Sequence, residues 1–291
     1  MIALAIHGGA GTMARRKMTS ALAARYEKGL AQALDAGHAV LAKSGSALDA
    51  VCAAVVELED DALFNAGRGA CYNTDEEHEL DAGVMDGATR RAGAVGAVSG
   101  IRNPVLAARA VMEKSPHVLL VGRGAERFAR AQGVRIAPAT YFATHSRLMA
   151  LRRRAVGHHG TVGAVALDAD GRLAAATSTG GYTGKLPGRI GDSPLIGAGT
   201  YADQLCAVSC TGLGEAFIRT AAAHDISARM RYRRQKLSSA SAAALAAIAT
   251  LGADGGLIAV DRRGNIATPF NSEGMYRGAI DRRGRRAIAI Y

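Results

Sequence analysis

Tryptophan is absent from this chain of 291 residues, and aromatic residues of all kinds amount to only 4%. Proline is scarce as well, at 6 residues, whereas glycine is abundant at 36. The glycines follow no Gly-X-Y period and little proline accompanies them, which excludes collagen-like and low-complexity chains. We therefore expect a core of small aliphatic side chains, in which glycines provide close backbone packing or unusual backbone angles.

Long apolar runs and cysteine pairs are also missing. No run approaches the ~18 residues of a membrane span, and the apolar stretch from Ile2 to Ile6 lacks the basic start of a signal peptide. The four cysteines form no Cys-x-x-Cys motif. Since a chain of this length needs no disulfide, we expect free thiols. These features predict a cytoplasmic protein without a membrane partner.

Negative charge is in the minority, because 25 acidic residues face 36 lysines and arginines and leave a net charge of +11. Basic residues cluster at 152–154, 229–236 and 282–286. A nucleic acid or an acidic small substrate would suit such a charge. Tyr232 is the single aromatic residue in these clusters that could stack on a base. We interpret the clusters as solvated surface and predict no nucleic-acid partner.

Apolar periodicity and turn residues predict a mixed α/β (α+β) protein. Strands are predicted at 2–6, 79–86, 91–99, 117–121, 162–167, 172–177, 256–261 and 264–268, and helices at 19–43, 46–59, 104–114 and 124–132. Turns at 168–171 and 261–264 join neighbouring strands as hairpins, which favours antiparallel sheet over a doubly wound parallel sheet. A basic linker at about 143–160 separates an N-terminal segment, 1–160, from a C-terminal segment, 161–291.

Familiar catalytic motifs are missing, since the sequence has no His-Glu-x-x-His, no Gly-x-Ser-x-Gly and no Walker A motif. Its 8 histidines are scattered, so we expect neither a side-chain metal site nor a catalytic cofactor. What remains is a group of hydroxyls. If Leu167 pairs with Arg172, then Thr161 lies opposite Ser178, between two further threonines. Such pairs also stabilise ordinary sheets, so pairing alone leaves both interpretations open.

The position of Thr161 favours a catalytic role. It follows Gly160 at the end of the linker, so cutting the Gly160–Thr161 bond would make it an N-terminal residue. It would then carry both a hydroxyl nucleophile and an α-amine, with a pKa of ~8, that can act as the base. The β-branch of threonine restricts χ1 and helps to hold Oγ in place. A catalytic histidine is then unnecessary.

Ten segments occur in the order of a known family. They are HGGAGT at 7–12, LFNAGRGA at 63–70, ELDAGVMDG at 79–87, NPVLAARAVM at 103–112, SPHVLLVG at 115–122, GTVGAVALD at 160–168, ATSTGG at 176–181, GRIGDSPLIGAGTYA at 188–202, SCTGLGE at 209–215 and FNSEGMYR at 270–277. In this combination the chain resembles the plant-type L-asparaginase / isoaspartyl peptidase family of N-terminal-nucleophile (Ntn) hydrolases over nearly its whole length. The resemblance implies a four-layer αββα sandwich that both segments build as one domain. The arginine-rich linker and Gly184, where the family often has Asn, depart from the pattern.

The resemblance implies catalytic roles for individual residues. Thr161 corresponds to the nucleophile, Thr179 to the threonine that hydrogen-bonds it, and Thr211 with the Gly212 N–H to the oxyanion hole. The residue types agree, because Thr211 is a candidate N-cap of a helix that opens at 212–215, where free N–H groups favour an anion.

A substrate pocket is implied in the same way. Arg189 corresponds to the clamp of the substrate α-carboxylate, which a guanidinium fork fits, and Asp192 to the partner of the α-ammonium group. An ordinary i,i+3 ion pair between these two residues is the alternative. Asn65 and Gly214 correspond to further pocket residues, and Asn65 also helps to position the nucleophile before cleavage.

The resemblance further implies a structural sodium ion held by backbone carbonyls. The corresponding residues are Leu58, Glu59, Asp61, Phe64, Ala66 and Arg68.

The implied activity is that of an autoprocessing amidohydrolase that releases L-aspartate from β-aspartyl (isoaspartyl) dipeptides and L-asparagine. The implied assembly is a homodimer of cleaved protomers, (αβ)2. A glycosylasparaginase-like amidase, an inactive unprocessed homologue and a basic nucleic-acid-binding protein are the alternatives. The segments GTVGAVALD and GDSPLIGAG favour the asparaginase branch over the glycosylasparaginases.

Overall fold

The structure is a computed structural model that describes residues 1–153 and 160–291. Its strands are β1 (Ala3–Gly11), β2 (Leu80–Asp86), β3 (Ala92–Val98), β4 (Leu119–Val121), β5 (Val162–Leu167), β6 (Leu173–Thr179), β7 (Thr200–Ala202), β8 (Cys206–Gly212), β9 (Gly255–Asp261), β10 (Ile266–Ala267), β11 (Gly274–Ile280) and β12 (Arg286–Ala289). Its helices are α1 (Ser20–Ala42), α2 (Ala47–Asp60), α3 (Pro104–Lys114), α4 (Gly122–Ala131), α5 (Ala139–Phe142), α6 (His145–Arg152), α7 (Gly214–Thr220), α8 (Ala222–Arg233) and α9 (Leu237–Thr250). Within the two described ranges, none of these helices has the length and apolarity to cross a bilayer.

Among the described residues, the strands form two sheets. The larger sheet has the order β12-β11-β1-β5-β6-β2-β3-β4, and the smaller has the order β10-β9-β8-β7. Neighbouring strands pair antiparallel, except that β3 and β4 pair parallel. The prediction of antiparallel sheet with helices on its faces is therefore confirmed.

The layers stack in the order helix, sheet, sheet, helix. Helices α1, α2 and α3 pack on the outer face of the larger sheet, where Leu30 and Val55 lie in one apolar cluster. Helices α8 and α9 cover the outer face of the smaller sheet. The cluster between the sheets contains many small side chains, such as Ala5, Ala175 and Ala207. This αββα arrangement confirms the predicted fold, and the small side chains allow dense packing between the sheets.

The β5–β6 hairpin has a register one residue away from the predicted one, because its turn is longer. Leu167 pairs with Leu173, whereas the sequence predicted Arg172 as its partner. Arg172 stays in the turn because its N–H donates to the Asp168 carboxylate at 2.9 Å. Aspartate side chains commonly fix turns in this way.

The corrected register changes which hydroxyls face one another. Val162 pairs with Ser178, so the preceding residue, Thr161, comes to lie opposite Thr179 and not opposite Ser178. On its other side Thr179 pairs with Asp81 of β2. The correction therefore brings together the two threonines that the resemblance linked.

Some elements escaped prediction because their sequences carry little periodic signal. The segment predicted as a linker begins with helix α6, whose first turn is capped by the Thr144 hydroxyl. The residues 154–159 of that linker lie outside the described residues, and the division into 1–160 and 161–291 stays a prediction. Helix α9 is rich in alanine on all sides, so it lacks the apolar stripe by which a surface helix is predicted.

Candidate active site

Thr161 lies directly before strand β5, near the middle of the larger sheet, and is buried. Its hydroxyl donates to the Thr179 hydroxyl at 3.1 Å. The Thr179 oxygen also accepts from the Gly181 N–H at 3.0 Å. The Thr161 N–H donates to the Thr211 hydroxyl at 3.1 Å. Three predicted site residues, carried by β5, β6 and β8, therefore meet at one point.

Thr211 is placed differently from the prediction. It belongs to strand β8, which continues through Gly212 by pairing with β9, and α7 begins later, with Leu213 as its N-cap. The prediction of a threonine cap was therefore wrong. The Thr211 hydroxyl accepts instead from the N–H groups of Ala10 and Thr161, both at 3.1 Å. Because a hydroxyl that accepts two bonds still has its own proton to donate, Thr211 keeps a donor for an anion.

His7 is a site residue that sequence reasoning missed, and its sole signal was its place in the HGGAGT segment. It is fully buried, and its Nδ1 lies 2.8 Å from the carbonyl oxygen of Thr161. Burial lowers the pKa of His7 to about 3, and the hydrogen bond to Thr161 opposes this only in part. The imidazole is therefore neutral at physiological pH. Since a carbonyl can only accept, Nδ1 carries the proton.

The His7 ring ends a chain of hydrogen bonds that runs between the two sheets. With Nδ1 protonated, Nε2 is an acceptor, so the Ser209 hydroxyl donates to it at 2.9 Å. The Ser209 hydroxyl lies 2.7 Å from the Thr177 hydroxyl. The Thr200 hydroxyl lies 2.6 Å from that of Thr177 and 2.8 Å from the Ser193 carbonyl oxygen. His7 therefore adjoins a cluster of buried hydroxyls, and the Thr161 carbonyl fixes the tautomer of the histidine.

A narrow pocket adjoins these hydroxyls. It is lined by Thr161, Thr179, Gly181, Tyr182, Arg189, Asp192 and Gly212. Its volume is about 10 Å³, roughly the room of one water molecule. The structure therefore brings together five of the predicted catalytic and substrate-binding residues around one small cavity.

The guanidinium group of Arg189 is engaged by Glu215. Its Nε and Nη2 donate to Oε1 and Oε2 of that carboxylate, each at 3.0 Å, in the two-point geometry that arginine and carboxylates favour. The guanidinium also lies 4.7 Å from the ring centre of Tyr182. The i,i+3 ion pair with Asp192 is not among the ion pairs of the described residues, and Glu215 occupies the fork that the resemblance reserves for a substrate carboxylate.

Asp192 is a buried carboxyl with capacity for another partner. Burial raises its pKa to about 7, Arg189 opposes this shift, and the charges of Asp81 and Glu215 add to it. Within the described residues its Oδ2 has no hydrogen-bond partner. Because a buried polar atom without a partner is costly, a cationic donor placed against Oδ2 would be strongly favoured.

Glycines permit close backbone contacts around Thr161. Gly9, at a φ of +114°, packs so tightly on Gly160 that a Cβ on either residue would overlap the backbone of the other. A Cβ on Gly163 would overlap the Ser209 hydroxyl that binds His7. These three glycines therefore allow close approach of strands at the site, whereas others, such as Gly171 and Gly284, adopt a positive φ with no close neighbour.

Two predicted pocket residues support the wall of the pocket. Asn65 donates through Nδ2 to the Gly181 carbonyl at 2.6 Å and accepts from the Cys71 N–H at 2.9 Å. A Cβ on Gly214 would come within 2.8 Å of Nη2 of Arg189, so glycine leaves room for that guanidinium group. Both residues hold neighbouring groups in place.

The segment implied to bind sodium is a tight loop that follows helix α2. Gly67, at a φ of +48°, packs so closely on the Glu59 carbonyl oxygen that a Cβ would overlap it. The loop therefore folds back onto the end of the helix, where the last carbonyls have no intrahelical partner. Backbone oxygens of this kind suit a hard cation and not a soft metal. The residues fit a sodium ion, and the site stays a prediction.

Two antiparallel sheets between helical layers, with a buried threonine before a central strand and hydroxyl donors around it, define the Ntn-hydrolase class of fold. The hydroxyl cluster, the arginine fork and the buried carboxyl lie together at one end of these sheets. Comparison with known proteins leads to the same class.

A family model described as Asparaginase matches residues 1–157 and 152–290. An isoaspartyl peptidase from Salmonella typhimurium is 54% identical over 292 residues, covering 94% of this chain and 93% of that protein. An isoaspartyl peptidase from Escherichia coli is 52% identical, covering 94% and 91%, and a plant-type L-asparaginase from Pyrococcus abyssi is 40% identical, covering 94% and 95%. The chain belongs to the asparaginase family.

Proposed function

We propose that this protein is a threonine-dependent amidohydrolase that cleaves itself and then releases L-aspartate from β-aspartyl dipeptides and L-asparagine. The observation that carries the proposal is the 3.1 Å hydrogen bond between the Thr161 and Thr179 hydroxyls, at a residue whose own N–H contacts Thr211. Thr161 thus places both its hydroxyl and its backbone nitrogen within hydrogen-bond distance of other hydroxyl groups. Relatives named isoaspartyl peptidase and L-asparaginase support the choice of substrates.

Self-cleavage is the first step. Thr161 Oγ attacks the carbonyl carbon of Gly160, the C–N bond between the two residues breaks, and the acyl group passes to Oγ as an ester. The proton of the hydroxyl goes to the departing nitrogen, with Thr179 as the hydrogen-bond partner of Oγ. Water then hydrolyses the ester, which leaves a carboxylate on Gly160 and a free α-amine on Thr161. The tight packing of Gly160 on Gly9 holds the bond in position.

The second reaction repeats this chemistry on the substrate. The Thr161 α-amine takes the proton of Oγ, which attacks the side-chain carbonyl of the aspartyl group. The Thr211 hydroxyl and the Gly212 N–H stabilise the resulting oxyanion. Ammonia or an amino acid leaves with the proton from the α-amine, and water hydrolyses the β-aspartyl ester to give L-aspartate.

Arg189 and Asp192 select the aspartyl group. The fork of Arg189 binds the α-carboxylate, in competition with Glu215, and the unpartnered Oδ2 of Asp192 accepts from the α-ammonium group. An aspartyl group is larger than the 10 Å³ pocket, so lining side chains must move when it binds.

Three further features belong to the same proposal. A sodium ion is held by the carbonyls of Leu58, Glu59, Asp61, Phe64, Ala66 and Arg68, where it stabilises the loop that contains Asn65. Two cleaved protomers assemble as a homodimer, (αβ)2. The free, buried cysteines of the described residues support a reducing compartment such as the cytoplasm.

Intact-mass measurement and an assay of aspartate release test the proposal together. The purified protein should give two fragments, 1–160 and 161–291, and release aspartate from a β-aspartyl dipeptide. Thr161→Ala should stay a single chain without activity, whereas Thr161→Ser, which keeps the hydroxyl and the amine, should retain part of both reactions. Full activity in Thr161→Ala would refute the mechanism.

A further inference from the structure

A large cavity lies at the opposite end of the sheets from Thr161. In the pairing of β8 with β9, Gly255 lies at the Gly212 end, near the hydroxyl cluster, whereas Asp261 lies at the other end. Asp261 lines this second cavity, which has a volume of about 790 Å³. The six steps along β9 between these two residues correspond to ~20 Å at ~3.3 Å per residue. The cavity is therefore separate from the proposed active site.

Cationic side chains from three segments line this cavity. They are Arg231 and Arg234 at the end of α8, Lys236 before α9, and Arg262 and Arg263 in the turn after β9. Arg231 is paired with the buried Asp203 at 2.8 Å. The charged groups of the other four have no ion-pair or hydrogen-bond partner in the part of the chain that the structure describes. Four cations without an ion-pair partner among the described residues therefore line one concavity.

The acidic residue in the lining, Asp261, offsets part of this positive charge but forms no ion pair with the four cations in the described part of the chain. Asp261 Oδ1 accepts from the N–H groups of Arg263 and Asn265, at 2.8 and 3.0 Å, and Oδ2 accepts from Asn265 Nδ2 at 2.8 Å. Its oxygens are thus used to close the turn. The lining therefore keeps a net positive charge, and a concave surface concentrates that field, which a bound anion would neutralise.

Two uncharged features of the lining also await a partner. Helix α9 has 14 residues, and its N-cap, Lys236, makes no side-chain cap hydrogen bond, so the N–H groups of its first turn are open to an anion. The side-chain oxygen of Gln235 is buried without a hydrogen-bond partner among the described residues. The acidic oxygens of a ligand would satisfy the N–H groups of α9, whereas the Gln235 oxygen, as an acceptor, gives no support for an anion.

We propose that this cavity binds a small anion with several phosphate groups, as in a polyphosphate chain or a polyphosphorylated polyol. Four cations without ion-pair partners match several phosphates better than a single carboxylate, and guanidinium forks bind phosphate oxygens at two points. The volume lies within the roughly 300–1,000 Å³ of small-molecule sites. The described lining contains no aromatic side chain on which a nucleobase could stack, which favours these ligands over nucleotides and single strands.

Isothermal titration calorimetry of the full chain at about 150 mM salt, close to physiological screening, tests this proposal. The probes are inorganic tripolyphosphate, inositol hexakisphosphate, orthophosphate and a single-stranded oligonucleotide. We expect one site per chain, with tripolyphosphate or the inositol phosphate binding at least about tenfold tighter than orthophosphate, a difference of ~1.4 kcal/mol. The tighter of the two identifies a chain or a polyol as the ligand. No binding of either, or tighter binding of the oligonucleotide, would overturn the proposal.

Matched variants locate the binding. Arg234→Ala/Lys236→Ala and, from a different segment, Arg262→Ala/Arg263→Ala should each weaken binding at least about tenfold without changing aspartate release. The control Arg16→Ala/Lys17→Ala removes the same charge from an exposed turn and should change affinity less than about twofold. Strand β1 begins at the cavity end of the sheets, where the neighbouring Met1 lies beside Gly264. The control turn follows the opposite end of that strand. Equal losses in the control and the cavity variants would show nonspecific charge attraction and refute the site.

Discussion

The carbonyl oxygen of Thr161 accepts a hydrogen bond from Nδ1 of His7 at 2.8 Å. Thr161 directly precedes β5, the strand that pairs with β1, and His7 of β1 pairs with Gly163. His7 thus holds the carbonyl side of the proposed nucleophile, while Thr179 holds its hydroxyl. Because burial lowers the pKa of His7 to about 3, the ring stays neutral and acts as a positioning group.

His7→Phe should lower kcat by roughly tenfold or more while KM changes less than about twofold, because an interaction with the nucleophile and not with the substrate is lost. His7→Asn, whose amide N–H can replace Nδ1–H, should recover part of kcat. Steady-state kinetics with a β-aspartyl dipeptide give both constants. An unchanged kcat in His7→Phe, with the fold verified by thermal melting, would contradict the positioning role.

Gly9→Ala should slow self-cleavage, because a Cβ at this position overlaps the backbone of Gly160. Alanine is also strained at a φ of +114°. Gly124→Ala is the control, since a Cβ there meets nothing within 4 Å, and within helix α4 it should stabilise the protein by roughly 0.5–1 kcal/mol. The appearance of the 161–291 fragment over time, followed by mass spectrometry, measures the effect. Cleavage of both variants at equal rates would show that the glycine contact is irrelevant.

Arg189→Ala should raise KM by about 10-fold to 100-fold, the equivalent of the ~1.5–3 kcal/mol of a hydrogen bond to a charged group. Self-cleavage should proceed in this variant, because the hydroxyl cluster of Thr161 does not include the guanidinium group. Arg189→Lys, which keeps the charge but not the fork, should give an intermediate KM. If Arg189→Ala fails in both self-cleavage and substrate binding, the residue is structural. Its ion pair with Glu215 would then be needed for both reactions.

Activity below neutral pH should be limited by Asp192. Burial raises the pKa of this carboxyl to about 7, with Asp81 and Glu215 adding to the shift and Arg189 opposing it. Below that pH the carboxyl keeps its proton and cannot pair with the substrate α-ammonium group. Loss of this carboxylate should therefore lower kcat/KM, which reports the free enzyme, by about tenfold per pH unit below 7, in addition to the loss from protonation of the Thr161 α-amine.

The two kinetic constants separate Asp192 from the Thr161 amine in that pH profile. The α-ammonium group of the bound substrate favours the charged form of Asp192, so kcat should fall less than kcat/KM as the pH is lowered. Protonation of the Thr161 α-amine should lower both constants equally. Asp192→Asn should have a high KM, and its kcat/KM should fall with decreasing pH no more steeply than its kcat. Parallel profiles of kcat and kcat/KM in the unmodified protein would rule out control by Asp192.

The sequence predicted the architecture well where the chemistry is local. Alternation of short apolar strands with turns gave most strands of the larger sheet, and helix α2 begins after a serine cap, Ser46, as its pattern indicated. The hairpin register could not be read, because the extra turn residue is fixed by hydrogen bonds to Asp168. The alanine-rich helix α9 is stabilised by packing against the smaller sheet, which the sequence does not display.

The proposed site was predictable mainly through the resemblance. Thr161, Thr179 and Thr211 meet as expected, but their hydrogen bonds come from strand pairing over long sequence distances. His7 could not be identified, because its partners lie 154 and 202 residues away along the chain. Glu215 was equally hidden, since no sequence pattern indicates that it would occupy the fork of Arg189.

The strand order bears on how stable the protein would be after cleavage between Gly160 and Thr161. In the larger sheet, β1 of the N-terminal segment lies between β11 and β5 of the C-terminal segment, and β6 pairs with β2 across the same division. Cutting the Gly160–Thr161 bond therefore leaves two polypeptides interleaved in one sheet. Their separation requires global unfolding, and refolding then becomes a concentration-dependent encounter of two chains. Processing would thus convert a reversible equilibrium into kinetic stability, set by the rate of unfolding.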